Sequence, residues 1–303
     1  MPAIPAATAA TDDTASLWDQ AHALAETPPG PGERVRLWRP MDGLECLAAH
    51  FTSHRYAPHR HDSFVIGVNL SGVEVFDARG GRHTAGPGQM MVLNPDELHD
   101  GRALGDHYRY RAFYPSPALM RAAAADLAGE PGAPVAEPTF DALAFTDPDL
   151  AQRLLHLHRL LEDGTDPLAS EEALTATFAL ALARHGGFGL RTPETGREDR
   201  RIARVVDAIA AEPGSPWRLD ELAALAGLSR FHFIRVFQRT TGQAPHAYLT
   251  TRRIMMARRL LAAGDRPAEV AVACGFADQA HLTRLFRRAV GLPPGQYARA
   301  LRG

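Results

Sequence analysis

Short apolar runs, broken by turn-forming residues, fill the chain from about residue 35 to residue 114. The runs cover 64–70, 73–78, 90–93 and the alternating segment 108–114, and the breaks fall at Ser71-Gly72, Gly80-Gly81, Gly86-Pro87-Gly88 and Asn94-Pro95. Many short strands at this spacing are typical of all-β domains. The pattern predicts a β-sandwich or a small β-barrel over residues 33–115.

A helical period replaces the strand pattern after residue 115. Apolar residues recur at three-to-four spacing through Leu154, Leu157 and Leu161, and the segment 171–185 repeats that period. We therefore expect a helical extension over residues 116–185, with two apolar-faced helices that pack on the β-domain or pair with a second subunit. The leucine stripe is more apolar than a solvated face, so we expect it to contribute to a dimer interface.

The composition of two segments is typical of flexible chain rather than of packed structure. Residues 1–32 are rich in Ala, Thr and Pro, which predicts a flexible N-terminal arm. Residues 186–199 contain four glycines and a proline and predict an interdomain linker. The start of the chain lacks the pattern of a signal peptide, and we expect a cytoplasmic protein without a membrane partner. Cys46 and Cys274 stand far apart in apolar surroundings and are expected to be reduced core thiols.

Charge separates the C-terminal third from the rest of the chain. The 303 residues have a net charge of −2, yet residues 197–303 hold 18 Arg and 9 acidic residues, a net charge of +9. All basic residues are arginine, which can reflect genomic base composition, but the asymmetry between the two parts does not follow from composition. A basic module on an acidic body predicts a polyanionic partner for that module.

One motif is written twice in this basic module. Residues 221–237 and 269–286 each contain Glu-[Leu/Val]-Ala, a Gly five residues after the aliphatic residue, and an Arg-[Val/Leu]-Phe ending. Gly, Pro and Tyr then follow the last Phe at five, eight and eleven residues in both copies. The two copies lie 48 residues apart at the turn glycine, Gly227 or Gly275, which is far more specific than a single αα-hairpin signal.

The residues of each copy have the properties that a helix-turn-helix requires. Gly227 permits the left-handed turn, and Ser229 can cap the second helix. Phe233 and the Val-Phe pair after Arg235 form the inward stripe of that helix. The outward face then holds Phe231, Ile234, Arg235 and Gln238, and in the second copy Gln279, Ala280, Thr283, Arg284 and Arg287. Arg can make bidentate hydrogen bonds to guanine, and Gln to adenine, so these side chains suit a recognition helix.

The second copy resembles a known signature. Residues 269–297, with Cys-Gly-Phe, Arg-Leu-Phe-Arg-Arg, Gly-Leu-Pro-Pro and Tyr, are similar to the C-terminal end of the AraC/XylS transcription regulators. The resemblance covers residues 200–303. It implies an all-α, seven-helix, double helix-turn-helix domain whose two recognition helices enter successive major grooves on one face of DNA.

The resemblance also assigns base-reading positions. It places Phe231, Ile234 and Arg235 in the first recognition helix, and Gln279, Thr283 and Arg284 in the second. The basic helix that joins the copies is expected to contact phosphates through residues such as Arg252.

Histidines in the β-domain carry a second resemblance. Pro58-His59-Arg60-His61, followed by alternating strands and His99, is similar to the cupin-like arm of many AraC relatives over about residues 40–115. His59 and His61 project to one face of a strand, so with His99 they can converge inside a barrel. Such imidazoles can bind a metal ion or a small organic effector, or can be ordinary core histidines.

The pattern does not favour a metal among these three readings. Metal-binding cupins carry Glu three or four residues after the paired histidines, where this chain has Phe64, Val65 and Ile66. We therefore expect no cofactor, and we take the three histidines as candidate effector-binding residues.

The sequence thus predicts an α+β multi-domain protein, a cupin-like β-barrel with a helical extension followed by the double helix-turn-helix domain. Its expected function is sequence-specific transcription regulation in response to an effector, and not catalysis. The expected partners are double-stranded DNA, a small-molecule effector, RNA polymerase and a second copy of the chain in a homodimer. Two alternatives stay open: a metal-dependent cupin enzyme tethered to a DNA module, and a ligand-independent regulator whose N-terminal half is a dimerisation scaffold.

Overall fold

The computed structural model describes residues 33–128, 135–187 and 198–300. The predicted arm at residues 1–32 and most of the predicted linker at 186–199 lie outside these ranges. The N-terminal part combines an antiparallel sheet with three helices, and the C-terminal part is helical. The predicted class, a cupin-like β-domain joined to an all-α domain, is therefore confirmed.

Eight strands form the sheet, in the order β1-β2-β7-β4-β6-β8, with β3 added to β7 and β5 added to β4. The strands are β1 (Arg34–Met41), β2 (Leu44–Phe51), β3 (Arg55–His59), β4 (Val65–Ala78), β5 (Gly81–Ala85), β6 (Gln89–Leu93), β7 (His99–Pro115) and β8 (Ala144–Thr146). The turns predicted at Gly80-Gly81 and at 86–88 separate β4, β5 and β6, as expected.

Both faces of the sheet are buried, and side-chain alternation assigns each residue to one of them. In β2, Cys46 packs in an outer core with the helices, whereas Leu47 belongs to an inner core. The inner core also joins Leu37 of β1 to Met91 of β6, two strands that lie far apart in the sheet order. The inner face therefore closes on itself and encloses a barrel-like interior.

Strand β4 runs through the predicted break at Ser71-Gly72, so that break is wrong. Its pairing with β7 instead changes register between Asn69 and Ser71 and again between Gly72 and Glu74. Gly72 has φ +71°, and a Cβ there would lie 2.0 Å from the carbonyl oxygen of His107. The glycine thus marks a bulge inside one long strand, where the partner backbone approaches too closely for any side chain.

Three helices cover the outer face of the sheet, as the helical period predicts. They are α1 (Pro117–Ala128), α2 (Pro148–Asp163) and α3 (Pro167–His185). Leu154 and Leu157 of α2 are fully buried in the outer core, and Leu161 packs against it. The prediction that this stripe forms a dimer interface is wrong, because the apolar outer face of the sheet takes it up within one chain.

The C-terminal part contains seven helices within residues 198–300. They are α4 (Glu198–Ala211), α5 (Leu219–Ala226), α6 (Arg230–Thr241), α7 (Pro245–Ala263), α8 (Pro267–Ala273), α9 (Gln279–Val290) and α10 (Pro294–Ala300). Two separate cores lie here, one around Phe237 and one around Phe286, the same position in the two repeats. Cys46 and Cys274 are free and buried, as expected. Among the described helices, none has both the length and the apolar character that crossing a membrane requires.

The two turn glycines give a matched stability test. Gly227 and Gly275 both have positive φ, +61° and +71°, but a Cβ meets nothing at Gly227 and lies 2.4 Å from the carbonyl oxygen of Gly214 at Gly275. We expect Gly227→Ala to lower the free energy of unfolding by about 1–2 kcal/mol, and Gly275→Ala by about 2–5 kcal/mol because overpacking is added. Urea denaturation followed by circular dichroism measures both; equal losses would contradict the role assigned to Gly214.

A buried acid inside the barrel gives a pH test. Glu74 is 5% exposed, and burial raises its pKa from 4.5 to about 8. Between these values the folded chain keeps a proton that the unfolded chain has released, so Glu74 makes stability fall as the pH rises. Relative to the wild type, Glu74→Gln should become more stable as the pH rises through this range. Above pH 8 the gain in the free energy of unfolding should be on the order of a few kcal/mol. Thermal unfolding at pH 5 and pH 8.5 measures the difference, and an equal shift at both pH values would show that Glu74 is ionised when folded.

Candidate functional site

Both repeats fold as helix-turn-helix units with the predicted turn chemistry. Gly227 ends α5 in the left-handed conformation, and Ser229 caps α6 by accepting a hydrogen bond from the backbone nitrogen of His232 at 3.4 Å. In the second unit Gly275 is also left-handed, and Asp278 caps α9 by accepting from the nitrogen of His281 at 2.6 Å. Helices α6 and α9 are therefore equivalent, and each is in the position of a recognition helix.

The outward face of α9 is open. Gln279 and Arg284 are exposed, and Thr283 is half-buried with its hydroxyl donating to the carbonyl of Gln279 at 2.8 Å. Arg284 lies 3.9 Å from Asp163 at the end of α2, with 60% of its side chain exposed. The three side chains predicted to read bases in the second half-site therefore share one accessible helix face.

The outward face of α6 is covered, contrary to expectation. Phe231 and Ile234 are only 9% and 6% exposed. Phe231 packs in the outer core of the N-terminal part (residues 33–128 and 135–187), called the sensor domain below. Ile234 packs in the first core of the C-terminal part (residues 198–300), called the helical domain below. Arg235 is half-buried with its guanidinium 5.7 Å from the centre of the Phe231 ring, and Gln238 alone of the four predicted residues is exposed. The prediction that Phe231 and Ile234 face outward is wrong, because the core of the sensor domain buries Phe231 and the core of the helical domain buries Ile234.

Polar contacts hold the start of α6 against α1. Arg230 Nε donates to Asp126 Oδ2 at 2.7 Å, and the hydroxyl of Ser229 donates to the backbone carbonyl of Asp126 at 2.8 Å. Burial raises the pKa of Asp126, although Arg230 opposes that effect. Asp126 was not predicted from the sequence, yet it is the only acid in the apolar, alanine-rich helix Pro117–Ala128, whose one other charged residue is Arg121. A single acid on such a helix was the feature of the sequence that could have identified this contact.

Helix α3 supplies a second set of contacts to the helical domain. Glu171 pairs with Arg218 and accepts from the backbone nitrogen of Leu219 at 3.0 Å. Glu172 accepts from the backbone nitrogen of His246 and contacts its Nδ1, both at 3.0 Å. Leu168 of α3 packs in the first core of the helical domain. The two domains thus exchange apolar side chains, Phe231 in one direction and Leu168 in the other.

Helix α7 joins the two units and carries the predicted phosphate contact. Arg252 is half-buried, lies 5.3 Å from the centre of the Tyr248 ring, and donates to its hydroxyl at 3.2 Å. Arg258 and Arg259 are exposed on the same helix. Arg253 instead donates to the carbonyls of Pro213 and Ser215 at 3.0 and 2.9 Å, so it braces the fold.

The three predicted histidines converge inside the sensor domain. His59 in β3 is the cross-strand partner of His99 in β7, and His61 follows β3. His59 Nε2 lies 3.1 Å from His61 Nε2, and one nitrogen from each ring falls within 4.8 Å of the others. All three residues are buried, as the strand alternation predicts.

Burial and backbone contacts set the state of these rings. Burial lowers the pKa of His59, that of His61 to about 3 and that of His99 to about 4. The rings are therefore neutral at physiological pH. Nδ1 of His59 contacts the carbonyl of Ala57 at 2.8 Å, and Nδ1 of His99 contacts that of Glu97 at 2.9 Å. A carbonyl can only accept, so both Nδ1 atoms are protonated and both Nε2 atoms carry a lone pair.

The histidines border a small, partly open cavity of about 40 Å³. Glu74 and Asp100 line it together with the three imidazoles, and the remaining lining residues are apolar or aromatic. Such a volume holds one or a few water molecules, whereas pockets for drug-sized ligands have about 300–1,000 Å³. The cavity in this conformation therefore fits an ion or a very small molecule.

Two family models match the chain in the places where the structure has its two parts. Residues 43–178 match the AraC-like ligand binding domain, and residues 222–300 match a helix-turn-helix domain. The first range contains the histidine cluster and the second contains both recognition helices.

Two relatives and one solved structure are similar to the chain. The chain is 30% identical over 236 residues to the uncharacterized HTH-type transcriptional regulator YbfI of Bacillus subtilis (strain 168), a match that covers 75% of this chain and 82% of that one. It is 31% identical to the HTH-type transcriptional regulator MtrA of Neisseria gonorrhoeae over 34% of each chain. Among solved structures, it is similar to the DNA-binding domain of AdpA, a global transcriptional factor, in complex with a target DNA, with 38% identity, a TM-score of 0.33, and coverage of 34% of this chain and 93% of that one.

The long match to a regulator, the ligand-binding model and the doubled helix-turn-helix agree with one another. The chain belongs to the AraC family of DNA-binding transcription regulators, with an N-terminal ligand-binding domain.

Proposed function

We propose that this regulator is effector-responsive because its sensor domain withholds the first recognition helix from DNA. The observation that carries the proposal is the burial of Phe231 in the sensor core beside the Arg230–Asp126 ion pair. Arg230 and Phe231 lie in the first turn of α6, the part of a recognition helix that contacts base edges. A closed form with α6 docked and an open form with α6 free would then be the two states of the protein.

Docking and base reading exclude each other on steric grounds. The major groove is about 12 Å wide, and an α-helix with its side chains is about 10–12 Å across. A recognition helix in the groove leaves no room for α1 and α3 against the same face. In the closed form α9 stays open, so the proposal is that this form meets DNA through one recognition helix and the open form through two. An effector that favours the open form would raise affinity for the complete site.

In the open form we assign the base contacts to the residues that the family resemblance indicates. In the first half-site these are Phe231 and Arg235, joined by the exposed Gln238 of the same helix, and in the second they are Gln279, Thr283 and Arg284. Ile234, which the resemblance also indicates, stays in the core of the helical domain. Helices in two successive major grooves on one face of DNA imply half-sites about one turn, roughly 10 base pairs, apart. Arg252 would contact phosphate, with its side chain fixed by the ring and the hydroxyl of Tyr248.

We further propose that the sensor domain binds its ligand without catalysis, in the small cavity of about 40 Å³ that the three imidazoles border. The homodimer and the contact with RNA polymerase stay predictions. A single chain tests neither, and with the leucine stripe of α2 buried, the dimer interface must lie elsewhere.

Removal of the ion pair that holds α6 tests the release mechanism. Asp126→Ala should bind a DNA site, selected from random sequences with the wild-type chain, about threefold to tenfold more tightly in the absence of effector. The basis is the loss of a mostly buried charge-assisted hydrogen bond worth about 1 kcal/mol in the closed form only. Affinity is measured by fluorescence anisotropy with the full chain.

The matched control is Glu137→Ala, which removes an exposed ion pair with Arg121 on the same helix α1 but does not touch α6. It should bind DNA as the wild type does. Equal affinities for Asp126→Ala and Glu137→Ala would overturn the proposal.

Substitution of the equivalent arginines tests the base assignments. Arg284→Ala and Arg235→Ala should each relax base preference in a different half-site, at a cost of about 1–3 kcal/mol for a lost bidentate guanine contact. Arg252→Ala should instead weaken all sites equally and reduce the salt dependence, because a phosphate carries no base information. Site selection from random DNA with each variant reads this out; unchanged preferences for both Arg235→Ala and Arg284→Ala would reject the assignment.

A further inference from the structure

We propose that His59, His61 and His99 form a binding site for a divalent transition-metal ion of the zinc type, with a fourth coordination position open to the cavity. The sequence pattern does not favour a metal here, but the geometry of the three imidazoles does. The inference rests on the proposed function only in taking the ion as the input of the sensor domain; binding of the ion can be measured without DNA.

Distances between the ring nitrogens suit a single ion. Zinc–nitrogen bonds of 2.0–2.1 Å in tetrahedral geometry separate two ligand nitrogens by about 3.3 Å. His59 Nε2 and His61 Nε2 are 3.1 Å apart, and the nitrogen of His99 completes a set within 4.8 Å. A shift of about 1.5 Å by one ring therefore closes the site. Two of the ligands, His59 and His99, are already fixed as cross-strand partners in the sheet.

The hydrogen bonds around the rings are those that metal-ligating histidines need. Ala57 and Glu97 accept from Nδ1 of His59 and of His99, which orients each ring and leaves its Nε2 lone pair for an ion. His61 has no such anchor, since its buried Nδ1 has no hydrogen-bond partner among the described residues. Its ring can therefore turn to offer either nitrogen, and it is the ligand that adjusts.

The missing cupin carboxylate does not remove the site. Phe64 and Ile66 point to the outer core, and Val65 lines the cavity, so no acid from this segment reaches the ion. Three imidazoles and one exchangeable position form an ordinary zinc coordination set. Neither Cys46 nor Cys274 lines the cavity, and a site without thiolate favours borderline ions such as Zn²⁺ and Co²⁺ over Cu⁺.

The size of the cavity also selects an ion over an organic effector. Its volume of about 40 Å³ accommodates an ion with a water molecule or a small anion as the fourth ligand. Glu74 and Asp100 in the wall provide oxygen atoms that can hydrogen-bond such a ligand. The chemistry that this sensor recognises is thus a metal ion, with any small ligand bound through it.

Metal titration of the tag-free, chelator-treated full chain tests the site. We expect saturable binding of one Zn²⁺ per chain by calorimetry, and with Co²⁺ the intense visible absorption of a four-coordinate site. Failure of the wild-type chain to bind either ion above buffer background overturns the proposal. Because the Co²⁺ spectrum is measured on the wild type, this arm does not depend on whether a histidine variant folds.

Ligand variants assign the binding to the cluster. His61→Gln should weaken Zn²⁺ binding by about 100-fold or more, since loss of even an outer-shell partner costs about 10–100-fold. His107→Gln is the matched control, a histidine of the same domain whose side chain is 39% exposed and outside the cluster. Unchanged affinity in a folded His61→Gln chain would overturn the assignment. Loss of metal binding would leave the release of α6 from Asp126 untouched, and the reverse also holds, so the two proposals fail separately.

Discussion

The position of Phe231 is the constraint on which the account of this regulator depends. A phenylalanine in the first turn of a recognition helix lies in the core of another domain, while Leu168 of that domain lies in the core of the helical one. Burying such side chains contributes roughly 1.5–3 kcal/mol each. The partly exposed ion pair of Arg230 with Asp126 adds less but fixes the angle of approach. One helix therefore serves two partners, DNA and the sensor, through the same face.

A continuous set of contacts leads from the cavity to this interface. Leu47 lines the cavity, and its backbone carbonyl contacts His158 Nε2 of α2 at 3.1 Å. His158 in turn contacts the guanidinium of Arg111 at 2.7 Å. Helix α2 packs on α3, and α3 contacts both α6 and α7. In the proposed mechanism these contacts are the route by which a change at the cavity would reach the helices that hold α6.

Local chemistry made one part of the structure predictable. The left-handed glycine Gly227, the cap Ser229 and the period of the two repeats depend on neighbours within a few residues, and all fold as the sequence indicates. The convergence of His59 and His99 was also within reach, since alternation along a strand places them on one face.

Contacts between distant segments were not predictable in this way. Asp126 meets Arg230 across 104 residues of chain, and no local pattern reports such a pairing. The apolar stripe of α2 indicates that the helix packs against another surface but does not identify that surface. In the structure the stripe packs on the sheet, where a second subunit was predicted. The strand β4 was divided in the prediction because a glycine in a bulge has the same sequence signal as a glycine in a turn.

Hydrogen exchange of α1 tests the central claim most directly, because α1 covers α6 in the closed form and has no role in reading DNA. Amide exchange is compared in the full chain with and without a saturating DNA site, by mass spectrometry of peptides that span Pro117–Ala128. If α6 leaves the sensor to enter the groove, exchange in the C-terminal half of α1 rises when DNA is bound, while α6 and α9 gain protection. Protection of α6 by DNA with no change in α1 would contradict the account.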